Sequence, residues 1–196
     1  ELHESGLSED EVNKINAVRS YQNGSFEVNV EHPLLMKTLM LASVSLADAV
    51  NRAFAADPAH PVIPEETAVR LPNVLVGAFT AIPIFLIGAA LFSTPTGFLA
   101  SLLWAVGVNA AAINRIAKED TLLTFFFLWG FFFHLLMKST PETDARRKRL
   151  FYYLSGAMFG LMLSSKYFPH FWGLTLLFFW TLRKVNPEQC PPDSYT

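Results

Sequence analysis

Residues 115–138 read RIAKEDTLLTFFFLWGFFFHLLMK, and this stretch decides the fold class. Charged side chains at positions 115, 118, 119 and 120 directly precede an apolar run long enough to enter a bilayer. Charges beside a membrane are costly and are usually retained for a function. Lys166 occupies a similar position between two later apolar runs. The pattern predicts membrane helices whose ends carry a functional site.

The overall composition indicates the same class of protein. Hydrophobic residues make up 52% and charged residues 16% of the 196 positions, whereas soluble domains carry about 25% charged residues. The sequence therefore predicts an all-α, polytopic transmembrane helical module with about five transmembrane helices. The predicted spans are 73–92, 96–114, 121–138, 150–165 and 168–183.

Residues 1–72 are predicted to form the first extracytoplasmic loop with juxtamembrane helices, and residues 73–196 the transmembrane bundle. Ser8 and Glu11 have capping-box spacing, which predicts a helix over 9–22. Residues 34–56 are apolar but interrupted by three charges, which indicates an amphipathic or interfacial helix. Residues 57–72 contain four prolines and are predicted to be a loop.

The basic residues predict how the chain is oriented in the membrane. A run of four, residues 146–149, lies between the third and fourth spans, and Arg183 and Lys184 follow the fifth. The positive-inside rule makes that side cytoplasmic. Residues 1–72 and the loops 115–120 and 166–167 then face outward. The predicted location is a multi-pass integral membrane protein, in the inner (plasma) membrane if bacterial, with its site facing outward.

Charge and cysteine content exclude several classes. A net charge of −2 with no basic stripe predicts no nucleic-acid partner. The single cysteine, Cys190, excludes an internal disulfide and a cysteine-based zinc cluster. Because the sequence starts without Met or a signal peptide, we expect it to be an interior segment of a longer membrane protein.

The outward-facing groups combine carboxylates, histidines and cations close to the predicted membrane surface. They are Asp10, Glu11, His32, Lys37, Arg115, Lys118, Glu119, Asp120, Lys166 and His170. Carboxylates serve as general bases or hold metals, and Lys and Arg bind phosphate. Such a set suits group transfer from a phospholipid-type carrier whose head group lies at this depth.

Several motifs occur in an order that resembles the GT-C glycosyltransferases, within the protein O-mannosyltransferase, polyprenyl-phosphate-sugar-dependent branch. The motifs are DEV at 10–12 with Tyr21, Gly24 and Phe26, HPLLMK at 32–37, RLP at 70–72, RIAKEDTLLTFF at 115–126, and GAMFGLMLSSKY at 156–167. One departure is Leu34, where the family has a second proline.

The resemblance implies a role for each matching residue. Asp10 matches the carboxylate that deprotonates an acceptor hydroxyl, which displaces the lipid phosphate with inversion, and Glu11 supports the site or the acceptor. Asp120 helps to organise the site. Arg115 and Lys166 are candidates for the carrier phosphate, and His32 and Lys37 have a structural or substrate-contacting role. No metal ligands are assigned, and a divalent metal stays open as a cofactor.

The implied partners are a lipid-linked sugar donor, membrane lipids, and a protein, lipid or envelope-glycan acceptor; the oligomeric state is not predicted.

Simpler structural interpretations of the same residues are also open. Asp10 and Glu11 also suit a helix N-terminus, Asp120 suits a helix N-cap region, and Lys118 is better explained as a snorkelling lysine. The rival functions are a transporter or flippase and a noncatalytic membrane scaffold.

Overall fold

A computed structural model describes residues 6–57 and 59–166, and the described residues form helices and loops without a strand. The eight helices are α1 (Glu9–Gln22), α2 (Leu34–Ala53), α3 (Glu65–Phe79), α4 (Ala81–Leu91), α5 (Thr94–Val106), α6 (Val108–Asn114), α7 (Glu119–Ser139) and α8 (Ala145–Ser165). The all-α prediction is confirmed for this part of the chain.

Helix α1 has the predicted bounds and the predicted cap. The Ser8 hydroxyl accepts a hydrogen bond from the Glu11 backbone N–H at 3.4 Å. The Ser8 N–H in turn donates to Glu11 Oε2 at 2.9 Å. These reciprocal bonds satisfy two backbone donors that a helix start otherwise leaves without partners. The helix ends before Gly24, whose φ of 79° favours glycine.

The predicted loop over 57–72 is wrong from residue 65 onward, because α3 begins at Glu65 and contains Pro72. A proline inside a helix cannot donate to the carbonyl four residues earlier, here that of Ala68. The hydroxyl of Ser43 on α2 donates to this carbonyl at 2.6 Å instead. A contact from another helix therefore compensates for Pro72. The predicted boundary between juxtamembrane segment and bundle, at 72/73, falls inside α3.

The apolar helices agree with the predicted membrane module. Three stretches of the described chain are long and apolar enough to cross a membrane: α2, the nearly continuous α3–α4 (Glu65–Leu91) and α7. A fourth is possible if α5 and α6, bent by 59°, form one span. The span predicted at 150–165 is helical within α8, although α8 does not reach the same hydropathy. The span predicted at 168–183 lies outside the described residues.

The buried core lies where α1 meets α2, α3 and the start of α7. Its members include Val18, Met36, Met40, Val69 and Leu122, each fully or almost fully buried. Burial of such side chains contributes about 1.5–3 kcal/mol each. This packing fixes the polar helix α1 against the ends of the apolar helices.

Helices α7 and α8 pack side by side and run in opposite directions. At their contact the Ser155 hydroxyl donates to the Gly130 carbonyl at 2.9 Å, and both groups are buried. A Cβ on Gly130 would come within 3.2 Å of the Phe159 ring, so the small residue permits close packing. The chain thus returns to the start of α7 at Lys166.

Candidate active site

A polar cavity of about 140 Å³ lies where α1, the 29–32 loop, the start of α7 and the end of α8 meet. Its lining residues are Asp10, Asn13, Lys14, Asn29, His32, Lys118, Glu119, Asp120 and Lys166. Six of the ten outward-facing groups selected from the sequence therefore lie together, although up to 156 positions separate them along the chain. They include Asp10, His32, Asp120 and Lys166, to which the family resemblance gives roles.

Two acidic residues in the first turn of α1, Asp10 and Glu11, are candidate site residues, and Asp10 is the more exposed of the two. The ammonium of Lys118 lies 2.9 Å from Asp10 Oδ2. The hydrogen bond and the charge of Lys118 lower the pKa of Asp10, so its carboxylate is ionised at neutral pH. The same pair raises the pKa of Lys118. Lys118, which the sequence favoured as a snorkelling residue, has a specific partner in the cavity.

Asp120 lies in the first turn of α7 and faces a second lysine. The ammonium of Lys166 is 2.5 Å from Asp120 Oδ1. The N-cap position of α7 belongs to Lys118, so Asp120 is not the cap residue itself. Its neighbour Glu119, which also lines the cavity, forms a largely buried pair with Lys14 at 3.2 Å. The adjacent carboxylates therefore have different partners, and Asp120 is the more accessible.

Glu11 lies outside the cavity and is fully buried. Arg70 donates from Nε to Oε1 at 2.7 Å and from Nη2 to Oε2 at 2.9 Å. The Ala117 N–H donates to Oε1 at 3.0 Å. Burial by itself raises the pKa of Glu11, but the bonds from Arg70, Ser8 and Ala117 outweigh it and lower the pKa to about 2. This carboxylate holds α1, α3 and the 115–118 loop together.

Lys37 is also buried, and its ammonium is directed at the loop that carries His32. It donates to the His32 carbonyl at 3.0 Å and to the Asn29 carbonyl. It also lies 5.9 Å from the centre of the Tyr21 ring. Asn29 has a positive φ of 58°, an uncommon backbone conformation that these contacts help to maintain. Lys37 therefore supports the loop, whereas His32 itself is exposed in the cavity.

Arg115 is not brought into the polar cavity. It lines a second, mostly apolar cavity of about 310 Å³ together with residues of α3, α5 and α6. The other lining residues are Val74, Gly77, Ala78, Trp104, Ala105, Ala111 and Asn114. The loop 115–118 therefore has Arg115 at an apolar cavity and Lys118 at the polar one.

The loop between the two cavities is held by a residue that the sequence interpretation missed. The amide nitrogen of Asn73, which is fully buried in α3, donates to the carbonyls of Ile116 and Lys118, the second at 2.8 Å. A lone asparagine inside an apolar helix is a signal of such a contact, because a buried amide requires partners. Asn13, Lys14 and Asn29 were also missed, because no local pattern marks them; Lys14 pairs with Glu119, 105 positions away.

The described residues contain no group of three or more His, Cys, Asp or Glu side chains placed to hold a metal ion. His170, selected from the sequence, lies outside the described part of the chain. The polar lining offers three carboxylates, of which Asp10 and Asp120 are accessible, three lysine ammonium groups and an exposed imidazole. Such groups are equipped to accept a proton and to neutralise an anion.

The apolar helices indicate an integral membrane protein, and the polar, charge-paired cavity at their ends is its candidate site. Comparison with known families makes this specific, because the profile of the dolichyl-phosphate-mannose-protein mannosyltransferase family matches residues 63–188. The match covers more than half of the chain, which therefore belongs to this family of GT-C membrane glycosyltransferases. No curated protein and no solved structure matches the chain.

The match confirms the resemblance predicted from the ordered motifs, together with the membrane and glycosyltransferase classes. It includes Arg115, Asp120 and Lys166. It begins after α1 and α2, so Asp10, Glu11, His32 and Lys37 lie outside the matched segment. Of these four, Asp10 and His32 are connected to the candidate site by the geometry of the cavity, whereas Glu11 and Lys37 do not line it.

Proposed function

We propose that this chain contributes the active site of a glycosyltransferase that moves a sugar from a polyprenyl-phosphate donor to a hydroxyl group. The observation that carries the proposal is the convergence of Asp10 and Asp120, each beside a lysine, on one small polar cavity at the ends of apolar helices. The family is named for dolichyl phosphate mannose and a protein acceptor, which supports a mannose-type donor. Protein, lipid and envelope-glycan acceptors all fit the class.

Asp10 is the proposed general base. An alcohol is too weak a nucleophile to attack without losing its proton, so a carboxylate must lie at the acceptor oxygen. The Asp10 carboxylate takes the hydroxyl proton while the acceptor oxygen bonds to C1 of the sugar. The C1–O bond to the carrier phosphate breaks on the opposite side, and its electron pair leaves with the phosphate. This single displacement inverts the configuration at C1.

Lys118 is proposed to let the bound phosphate change the pKa of Asp10. In the resting site its charge lowers the pKa of Asp10, which keeps the carboxylate ionised but makes it a weak base. A bound phosphate competes for the same ammonium, since phosphate and carboxylate both attract it. When Lys118 turns toward the phosphate, the pKa of Asp10 rises and its affinity for the acceptor proton increases.

Lys166 and Arg115 are proposed to contact the carrier phosphate from two sides of the 115–120 segment. Lys166 lies in the polar cavity beside Asp120, and Arg115 lies at the mostly apolar cavity. A phosphate joined to a polyprenyl chain is an amphiphile: the phosphate suits the polar cavity, and the chain suits the mostly apolar one. Positive charge at the phosphate stabilises the developing negative charge of the leaving group.

The helix directions support an extracytoplasmic location for the reaction. Helix α7 starts at the polar cavity, is 21 residues long and ends near the basic run at the start of α8. A helix of that length extends about 30 Å, the thickness of a bilayer core. If the basic run is cytoplasmic, as the positive-inside rule requires, the cavity opens on the other face.

The proposal is tested with Asp10→Asn in the full-length protein, reconstituted with a polyprenyl-phosphate mannose donor. We expect sugar transfer to fall by a factor of about 10²–10⁴, the usual contribution of a general base, while expression and insertion stay normal. Glu9→Gln is the matched control, because Glu9 lies in the same helical turn but does not line the cavity. Wild-type transfer by Asp10→Asn would remove the assignment of Asp10 as the base.

A further inference from the structure

A third cavity lies at the opposite end of the α7–α8 pair, at the basic run that predicts the membrane orientation. It has a volume of about 520 Å³ and is lined by Asp144, Arg146, Arg147, Arg149, Leu150 and Tyr153. Because α7 rises about 30 Å between its two ends, this cavity is about one bilayer core away from the candidate active site.

The spacing of the lining residues places basic and apolar groups on one face of α8. Arg146, Arg149, Leu150 and Tyr153 follow the i, i+3, i+4, i+7 pattern of a single helical face. Leu150 is 54% exposed and Tyr153 is 68% exposed. The face therefore combines guanidinium groups with exposed apolar surface, which is unusual for a helix end that faces only water.

The neighbouring charges are committed to other contacts. The Asp144 carboxylate accepts a hydrogen bond from the Arg147 N–H at 3.1 Å and caps α8. The Arg147 guanidinium lies over the Phe151 ring, 5.5 Å from its centre. Lys148, in the same basic run, pairs with Glu142 and does not line the cavity. Arg146 and Arg149 supply the charge on the face shared with Leu150 and Tyr153, and Arg149 also donates from Nε to the Ala145 carbonyl at 3.3 Å.

We propose that this cavity binds the head group of an acidic phospholipid from the adjoining leaflet. Arginine presents a planar set of donors that fits phosphate oxygens in pairs. If the start of α8 lies at the membrane surface, as the basic run predicts, lipid phosphates are the anions at that depth. Leu150 and Tyr153 then contact the upper part of the acyl chains, and tyrosine is favoured at this interface. The inference does not depend on the proposed catalytic function.

The test measures lipid retained by the full-length protein in detergent, by native mass spectrometry, after addition of phosphatidylglycerol or phosphatidylcholine. The wild-type protein is expected to retain the acidic lipid preferentially. Arg146→Gln and Arg149→Gln are each expected to weaken its retention about fivefold, the usual effect of one basic residue at an anionic surface. Each variant keeps three of the four charges in the run 146–149, so the membrane orientation is expected to persist.

Lys148→Gln is the matched control, since it removes the same charge from the same run outside the cavity. We expect less than about a twofold change, because exposed, paired lysines contribute little. An equal loss for Lys148→Gln and Arg149→Gln would show diffuse attraction and overturn the site. Equal retention of both lipids would also overturn the lipid site. Displacement of phosphatidylglycerol by an excess of inorganic phosphate would overturn it too, because the cavity would then bind a soluble anion.

Discussion

Arg70 holds Glu11 through two parallel hydrogen bonds, at 2.7 and 2.9 Å, and both side chains are at most 2% exposed. The two residues are 59 positions apart, on α3 and α1. Their contact fixes the orientation of α1, so that Glu11 is buried while Asp10, the preceding residue, lines the cavity. The position of the proposed base therefore depends on an ion pair that does not itself touch the cavity.

The first prediction concerns this pair. Glu11→Gln removes the carboxylate charge from this buried pair with Arg70, and breaking a buried pair costs about 3–5 kcal/mol. We expect a markedly lower midpoint of thermal unfolding in detergent. Glu9→Gln, in the same turn, should leave the midpoint unchanged. A Glu11→Gln protein with normal stability but no activity would contradict a structural role and favour direct participation of Glu11.

The second prediction is a pH dependence of stability. The pKa of Glu11 is lowered from 4.5 to about 2 in the folded protein. A lowered carboxyl pKa stabilises the fold above the unfolded-state value, and this stability is lost as pH falls toward the folded value. We expect the free energy of unfolding to decrease between about pH 4.5 and pH 2. Glu11→Gln should remove most of this slope; an unchanged slope would assign it to other carboxyl groups.

The third prediction concerns Lys118 and the pH profile of sugar transfer. Because Lys118 lowers the pKa of Asp10, Lys118→Gln should raise it. A base works only when deprotonated, so the acidic limb of the kcat/KM profile should move to higher pH. Lys148→Gln, on the basic run of α8, serves as the control. A limb that stays in place in Lys118→Gln would show that Asp10 is not the group titrating in catalysis.

The fourth prediction concerns the pair of Lys166 and Asp120. Lys166 is proposed to bind the carrier phosphate, and loss of a hydrogen bond between charged groups costs about 1.5–3 kcal/mol. Lys166→Gln should therefore lower kcat/KM for the donor by a factor of about 10–100. Residues in direct contact do not act additively. The double variant Lys166→Gln/Asp120→Asn should therefore lose less than the product of the two single losses. Strict additivity would indicate that the two residues act independently.

The fifth prediction tests the tight contact of α4 and α5. A Cβ on Gly97 would lie 2.4 Å from the Phe85 carbonyl oxygen and 2.7 Å from the Ala89 nitrogen, both of them backbone atoms. Gly97→Ala must therefore separate the helices, and overpacking of this kind costs about 1–3 kcal/mol. The midpoint of thermal unfolding should fall. Leu99→Ala on the exposed face of α5 is the control; equal midpoints for the two variants would rule out the close approach.

Much of the fold could be predicted from local patterns. The Ser8–Glu11 capping box predicted α1 with its observed bounds, since a cap involves residues three positions apart. The apolar run after Asp120 predicted 121–138, and α7 extends from 119 to 139. The predicted loop over 57–72 was wrong from residue 65 onward, because prolines were taken to exclude a helix. The hydroxyl of Ser43 on another helix stabilises Pro72 within α3.

The candidate site could be predicted only in part. The motif order selected Asp10, His32, Asp120 and Lys166, which the fold places at one cavity. It grouped Glu11, Lys37 and Arg115 with them, and these residues lie elsewhere. Neighbours along a helix point in directions 100° apart, so adjacent residues such as Asp10 and Glu11 have different surroundings.

The sequence by itself determined the class of this protein, because the length and apolarity of a membrane helix are local properties of consecutive residues. It also determined the family, through motifs that keep their order along the chain. Only the tertiary structure decided which charged side chains form ion pairs with each other. The pairs Asp10–Lys118 and Lys166–Asp120 join residues that are 108 and 46 positions apart. Their formation depends on how the helices pack, and Coulomb attraction between them is effective only at that short range.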